Sequence, residues 1–194
     1  MKQSFIFLAD GFETIEALTP LDVFRRAGLP VKTVSISSSK SVTSAQNVQV
    51  TADVLFDPTL FTDPEWLILP GGMHGATNLF NYAPLTGLLR KHAERNGKIA
   101  SICASPAVVL GQLGLLKGHK ATCYPGFESM LNGAEYVDAP VIVDRNFVLG
   151  DGPADALTWS LTILKEAAGA AASDKIAADM LYFRNLDEID NFFG

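Results

Sequence analysis

Three short segments carry residue types suited to covalent chemistry. In Ala100-Ser101-Ile102-Cys103-Ala104-Ser105-Pro106, a cysteine stands where an apolar run turns toward a proline-led helix. Its neighbours are small, which a tight, strained nucleophile elbow requires. A thiol presented there meets the N-terminal end of a helix, whose free N–H groups favour the thiolate and lower its pKa. Read alone, the segment fits a small buried hydrophobe equally well. Pro70-Gly71-Gly72-Met73-His74-Gly75-Ala76 offers backbone N–H groups to a developing oxyanion, or is simply a turn that needs glycine. It matches neither the dinucleotide fingerprint nor the P-loop spacing, so no nucleotide cofactor is expected. Asp10-Gly11-Phe12-Glu13-Thr14-Ile15-Glu16 puts the Glu16 carboxyl close behind the first strand, either facing Cys103 across neighbouring strand ends or capping a helix in solvent.

These residues need a scaffold that gathers strand ends. Ser4 to Ala9 is a continuous apolar run, as in a strand buried on both faces. Thr19-Pro20-Leu21-Asp22 predicts a helix start with Thr19 as N-cap and Pro20 at the first position, and Gly28 marks its end. Thr14 to Leu18 then reads as a separate lead-in turn. Strands are expected at Val31–Ser37, Val48–Val54, Trp66–Leu69 and Lys98–Ile102, with a short edge strand around Val42. Helices are expected at Leu85–Glu94, Pro106–Leu113, Asp155–Ala168 and Ala170–Phe183, and a hairpin at Val141–Asp144 and Phe147–Leu149 about Arg145-Asn146. Alternating strands and helices predict a parallel sheet covered on both faces, with ligands beyond the carboxyl ends of its strands.

The chain has 194 residues, 48% hydrophobic and 19% charged, which suits a single domain over residues 1–194. The acidic stretch 184–194 reads as a loosely held tail. Fifteen Lys and Arg against 21 Asp and Glu give a net charge of −6, so nucleic acid is not an expected partner. Two cysteines make no disulfide framework, which points to a reducing, cytoplasmic setting. The N-terminus lacks the pattern of a signal peptide. The uncharged stretch Ile99 to Leu116 is broken by serines, glycines and Pro106, so no membrane span is expected. Three scattered histidines show no metal-ligand spacing, and no metal or other cofactor is predicted. His92 and His119 read as surface residues, and Cys123 as a buried structural thiol or, less simply, a resolving one.

In order and spacing, the three segments resemble the ThiJ/PfpI superfamily, and within it the branch of the parkinsonism-associated protein deglycase. The resemblance runs from the first strand to about Ala172. It rests on Leu8-Ala9-Asp10-Gly11 leading to Glu16, Pro20-Leu21-Asp22-Val23, Arg25-Arg26-Ala27-Gly28, Leu69-Pro70-Gly71-Gly72 with Gly75-Ala76, Ile102-Cys103-Ala104 with Pro106, and Gly152-Pro153. It implies a flavodoxin-like three-layer α/β sandwich with a mostly parallel central sheet, a cysteine nucleophile elbow and a homodimer. It makes Cys103 the reactive residue, Glu16 the carboxyl bonded to it, and the N–H groups of Gly75 and Ala104 the oxyanion site. Gly72, Tyr124 and Pro153 are further candidate pocket positions, and His74 is either another or a solvated loop residue.

The chain also departs from the family pattern. Tyr124 occupies the position of a frequent family histidine, and a phenol is a weak base near neutral pH. Ala104 stands where the protease-like branch has a histidine, which disfavours a cysteine peptidase. Gln46 replaces an arginine of an anion-facing pocket. The expected activity is a cofactor-independent glyoxalase or deglycase reaction on α-oxoaldehydes such as methylglyoxal, or on their glycated adducts. The alternative is an oxidative-stress sensor or redox-regulated chaperone that works through a Cys103 sulfinate, without turnover.

Overall fold

The computed structural model describes residues 2–182. Its centre is a seven-stranded sheet. The strands that matter most are β1 (Ser4–Leu8), β2 (Val31–Ser35), β5 (Val54–Leu55), β6 (Trp66–Leu69), β7 (Lys98–Ile102), β10 (Val141–Asp144) and β11 (Phe147–Gly150). They lie in the order β10-β11-β7-β6-β1-β2-β5. All neighbours pair parallel except β10, which closes one edge antiparallel to β11. Every residue of β1, β6 and β11 is buried, as their unbroken apolar runs require of strands covered on both faces.

Helices α1 (Thr14–Arg26), α4 (Ala156–Ala168) and α5 (Ala170–Asp179) pack together. Helices α2 (Met73–Asn81) and α3 (Ala83–Glu94), with a wide-wound segment at Pro106–Gly111, form the second group. The sheet between them makes this a three-layer, flavodoxin-like α/β sandwich. Two small sheets stand apart: β3 (Ser41–Thr43) with β4 (Gln49–Thr51), and β8 (Lys120–Ala121) with β9 (Glu135–Tyr136). Strand order reverses between β1 and β6, and the crevice beyond the carboxyl ends there is where such sheets bind ligands.

Several expectations change. Helix α1 is continuous from Thr14 and runs through Pro20, so Thr19 is no cap. Pro20 removes the N–H that would reach the Glu16 carbonyl, but the helix holds because its inner face, Ala17, Val23 and Phe24, is fully buried. Its end is as predicted: Gly28 is left-handed at φ +67°, its N–H donates to the Arg25 carbonyl, and the Leu29 N–H donates to that of Phe24. Helix α2 lies where the sequence suggested only a glycine turn. The run Val48–Val54 divides into β4 and β5, which belong to different sheets. Left-handed Gly169 separates α4 from α5, and α5 stops at Asp179. Residues 183–194, and with them the tail, lie outside the described residues. Among the described residues no helix is long and apolar enough to cross a membrane.

Candidate active site

The elbow forms as the small residues around Cys103 predict. Strand β7 ends at Ile102, and Cys103 takes a left-handed backbone at φ +63°, a conformation L-residues enter only at a cost. Three neighbouring loops hold it there. The Cys103 N–H donates to the Gly150 carbonyl at 3.0 Å, and its carbonyl accepts the Tyr124 N–H at 2.8 Å. The Ser105 hydroxyl donates to the Pro70 carbonyl at 2.6 Å. Beyond it the chain winds wide, with the Gln112 N–H bonded to the Ala107 carbonyl five residues back. Such π-turns recur at functional sites.

Glu16 is the third residue of α1 and is 0% exposed. Its Oε2 accepts the Gly71 N–H at 2.8 Å. Its Oε1 is buried with no N–H or hydroxyl partner, and the group beside the carboxyl is the Cys103 thiol. Gly71 is the spacer between the two: a Cβ there would stand 2.6 Å from the Cys103 Cβ and 2.7 Å from Glu16 Oε2. No side chain fits at position 71 without parting the pair.

Burial pushes the Glu16 carboxyl up from its usual 4.5 to about 7, with the charge of Glu13 adding to the rise and the Gly71 N–H and the thiol opposing it. Burial, and then the Glu16 carboxylate, push the Cys103 thiol up to about 12. The N–H groups of Gly72 and Ala104 pull it down but do not prevail. The expectation of a lowered thiol pKa is therefore corrected: desolvation and a like charge outweigh the helix terminus. Two buried charges side by side are disfavoured, so near neutral pH and above the pair carries one negative charge rather than two.

The oxyanion expectation changes as well. The N–H of Gly75 is engaged by the Gly11 carbonyl at 3.1 Å. The backbone N–H groups that favour the thiolate of Cys103 are those of Gly72 and Ala104. Gly72 is left-handed at φ +83°, and a Cβ there would meet the Gly11 carbonyl at 2.4 Å, so the loops after β1 and β6 lock backbone to backbone.

The other candidates are placed as follows. His74, second in α2, is exposed, with its Cβ crowded against Gly11. Tyr124 is half exposed beside Gly152, next to Pro153. Gln46 donates to Glu13 at 2.7 Å and accepts from the Thr14 hydroxyl at 2.7 Å, so it clamps the start of α1 with no positive charge. Cys123 is 1% exposed, and its thiol is pushed up to about 12 by burial and then by the charge of Glu128. His92 is not a surface residue: it is buried on the Leu85 and Leu89 face of α3, with Nε2 3.2 Å from the Lys98 carbonyl. His119 is largely covered and pairs with Asp144 at 3.1 Å. Among the described residues no group of three His, Cys, Asp or Glu could hold a metal ion. Sequence reasoning overlooked Gly71 as spacer; it included Gly72 in the glycine loop offered to an oxyanion and among the pocket positions, but named Gly75 as that loop's donor.

Comparison with known proteins gives the family and the fold. Residues 2–166 match the family model described as DJ-1/PfpI family. Protein DJ-1 homolog B of Arabidopsis thaliana is 36% identical over 86% of the chain, which spans only 38% of that relative's length. A Pyrococcus horikoshii protein named as a deglycase is 32% identical, with 85% of this chain and 98% of that one covered. The solved structure of Toxoplasma gondii DJ-1, oxidized, superposes with a TM-score of 0.90 at 34% identity, covering 94% of this chain and 100% of that one.

Proposed function

Because the chain belongs to the DJ-1/PfpI family, we propose that it is a cofactor-independent enzyme acting on small α-oxoaldehydes and their early adducts, with Cys103 as nucleophile and Glu16 as its acid–base partner. One observation carries the reading. A buried carboxyl titrating near neutrality lies against a thiol on a left-handed elbow, and the backbone N–H groups of Gly72 and Ala104 favour that thiol's anion. The similarity to a protein named as a deglycase supports the same class. Cys103 is only 9% exposed, so the reacting carbonyl must be small or must end a slender chain.

The steps follow from where the proton sits. Ionised Glu16 takes the thiol proton as the sulfur attacks the aldehyde carbon. The carbonyl electron pair moves to oxygen, beside the N–H groups of Gly72 and Ala104. Glu16 then protonates that oxygen, giving a hemithioacetal. As a carboxylate again, it removes the proton from the former aldehyde carbon and returns it to the neighbouring carbon through an enediol, while the hemithioacetal hydroxyl proton passes to the neighbouring carbonyl oxygen. The result is a thioester of a 2-hydroxy acid. Water cleaves it, releasing the acid and restoring the thiol. The net change is addition of water, with no external oxidant or reductant.

The expected outcome is conversion of methylglyoxal to lactate by the protein alone, followed by proton NMR. The acid limb of kcat/KM should rise with an apparent pKa near 7, because Glu16 must be ionised to accept the thiol proton. No lactate, or a rate indifferent to pH between about 5 and 8, would overturn the assignment. The reading includes a cytoplasmic homodimer, for which the exposed Ile15 and Val48 near the start of α1 and the β3–β4 turn offer apolar surface.

A second reading is favoured by the similar structure solved in an oxidized state. Two equivalents of peroxide would take the Cys103 thiol to the sulfinate, each releasing one water. Protonated Glu16 and the two N–H groups would hold its oxygens. Selective gain of two oxygens at Cys103 under mild peroxide, seen by mass spectrometry, is its expected mark; equal oxidation of the methionines would sink it.

A further inference from the structure

The chain segments that surround Cys103 have one sign of charge. Residues 10–16, 70–76, 102–106, 122–128 and 150–155 contain Asp10, Glu13, Glu16, Glu128, Asp151 and Asp155, a single histidine, His74, and no lysine or arginine. Hydrogen bonds tie these segments into one rim: Glu13 N–H to the Gly71 carbonyl, Tyr124 N–H to that of Cys103, Cys103 N–H to that of Gly150, and Asp155 N–H to that of Gly152. Asp151 directly follows Gly150 and so stands beside the elbow. Its Oδ1 is buried with no N–H or hydroxyl partner among the described residues. Burial, then the neighbouring Asp155 carboxyl, push the Asp151 carboxyl above its ordinary value, so these two side chains act on an approaching charge as one unit. Gln46, where a cation would have offset Glu13, is neutral and already bonded to that carboxylate.

A substrate entering this crevice meets uncompensated negative charge. At about 8 Å and an intermediate dielectric, each carboxylate changes the approach of a unit charge by about fivefold before salt screening. We infer that the rim selects substrates by charge: the site admits neutral and cationic carbonyl compounds, the latter as adducts of amines and guanidines, and turns away anionic α-oxo acids, with Asp151 and Asp155 beside the elbow as the main determinants. The inference rests on the proposed function only in calling these molecules substrates. The charge preference belongs to the surroundings of the Cys103 thiol and is measurable without turnover.

The probe is a pair of methanethiosulfonates of similar size, one ending in trimethylammonium and one in sulfonate. Cys103 sulfur displaces methanesulfinate from either, forming a disulfide, and its proton passes to Glu16 and then solvent. Rates at Cys103 are read by peptide mass spectrometry and divided by those of 2-mercaptoethanol. The normalised cation-to-anion ratio is expected to be at least about tenfold in wild type. It should fall at least about threefold in the Asp151→Asn/Asp155→Asn double variant, and partway in Asp151→Asn should the double variant fold poorly. It should not change in Asp63→Asn, whose carboxylate pairs with Lys2 at the opposite end of the sheet. A wild-type ratio equal to that of the free thiol, or a ratio that survives in folded Asp151 variants, would overturn the inference. A strong charge preference in a protein that leaves methylglyoxal untouched would support it while refuting the proposed reaction.

Discussion

Cys103→Ser is expected to lower methylglyoxal turnover at least about a hundredfold while leaving the fold intact. The substitution changes one atom and keeps the elbow: the left-handed backbone and its bonds to Gly150 and Tyr124 involve no side chain. What changes is proton affinity. A carboxylate titrating at about 7 can accept a proton from a thiol as the carbon–sulfur bond forms. An aliphatic hydroxyl holds its proton far more tightly, and oxygen is the poorer nucleophile under these conditions. The check is lactate formation beside thermal unfolding by circular dichroism. Equal rates in wild type and a folded serine variant would remove Cys103 from the chemistry, whatever the comparisons suggest.

Glu16→Gln should abolish turnover comparably, yet make the protein more stable above neutral pH. The sign follows from the direction of the shift. Burial raises the Glu16 pKa from 4.5 to about 7, so the folded chain holds this proton more tightly than the unfolded chain does. Below about 4.5 both states are protonated and the residue costs nothing extra. As pH rises toward 7 the unfolded chain releases the proton while the folded chain retains it, and stability falls. Above 7 the full loss remains, about 3 kcal/mol for a shift of this size. Glutamine has no proton to lose, and its amide oxygen can still accept the Gly71 N–H. Urea unfolding at pH 5 and pH 8 tests this: the advantage of the variant should be small at the first and about 3 kcal/mol at the second. A gap that does not widen with pH would show that Glu16 is not buried as an unfavourable charge.

Much of this was legible in the residues. Runs such as Phe5 to Ala9 and Trp66 to Leu69 announce strands buried on both faces, because only a covered strand dispenses with polar positions. The small residues about Cys103 announce the elbow, because few others permit a left-handed turn at a strand end. Other features depend on what side-chain identity does not encode. The start of α1 was misread at Pro20, where tertiary burial of the helix's inner face overrides the proline signal. Helix α2 hides behind Gly-Gly-Met-His-Gly, a composition that reads as turn. The choice of Gly72 over Gly75 as donor turns on the direction of a backbone N–H. The thiol's direction of shift turns on desolvation, which needs the packed neighbours. His92 was within reach: Leu85, Leu89 and His92 recur at helical spacing, and only its polarity argued for the surface.

The left-handed backbone at position 103 also limits what the protein can become. Branching at Cβ collides with the backbone in this region, so threonine has no place there, and the admissible nucleophiles reduce to unbranched side chains. Glycine enters the region at no steric cost, whereas cysteine bears about 1–2 kcal/mol. At this position, then, the residue best for folding is one that can do no chemistry. Under selection for stability alone, substitution here would drift toward an inert protein of the same shape, so the fold by itself gives no reason for a cysteine at this position.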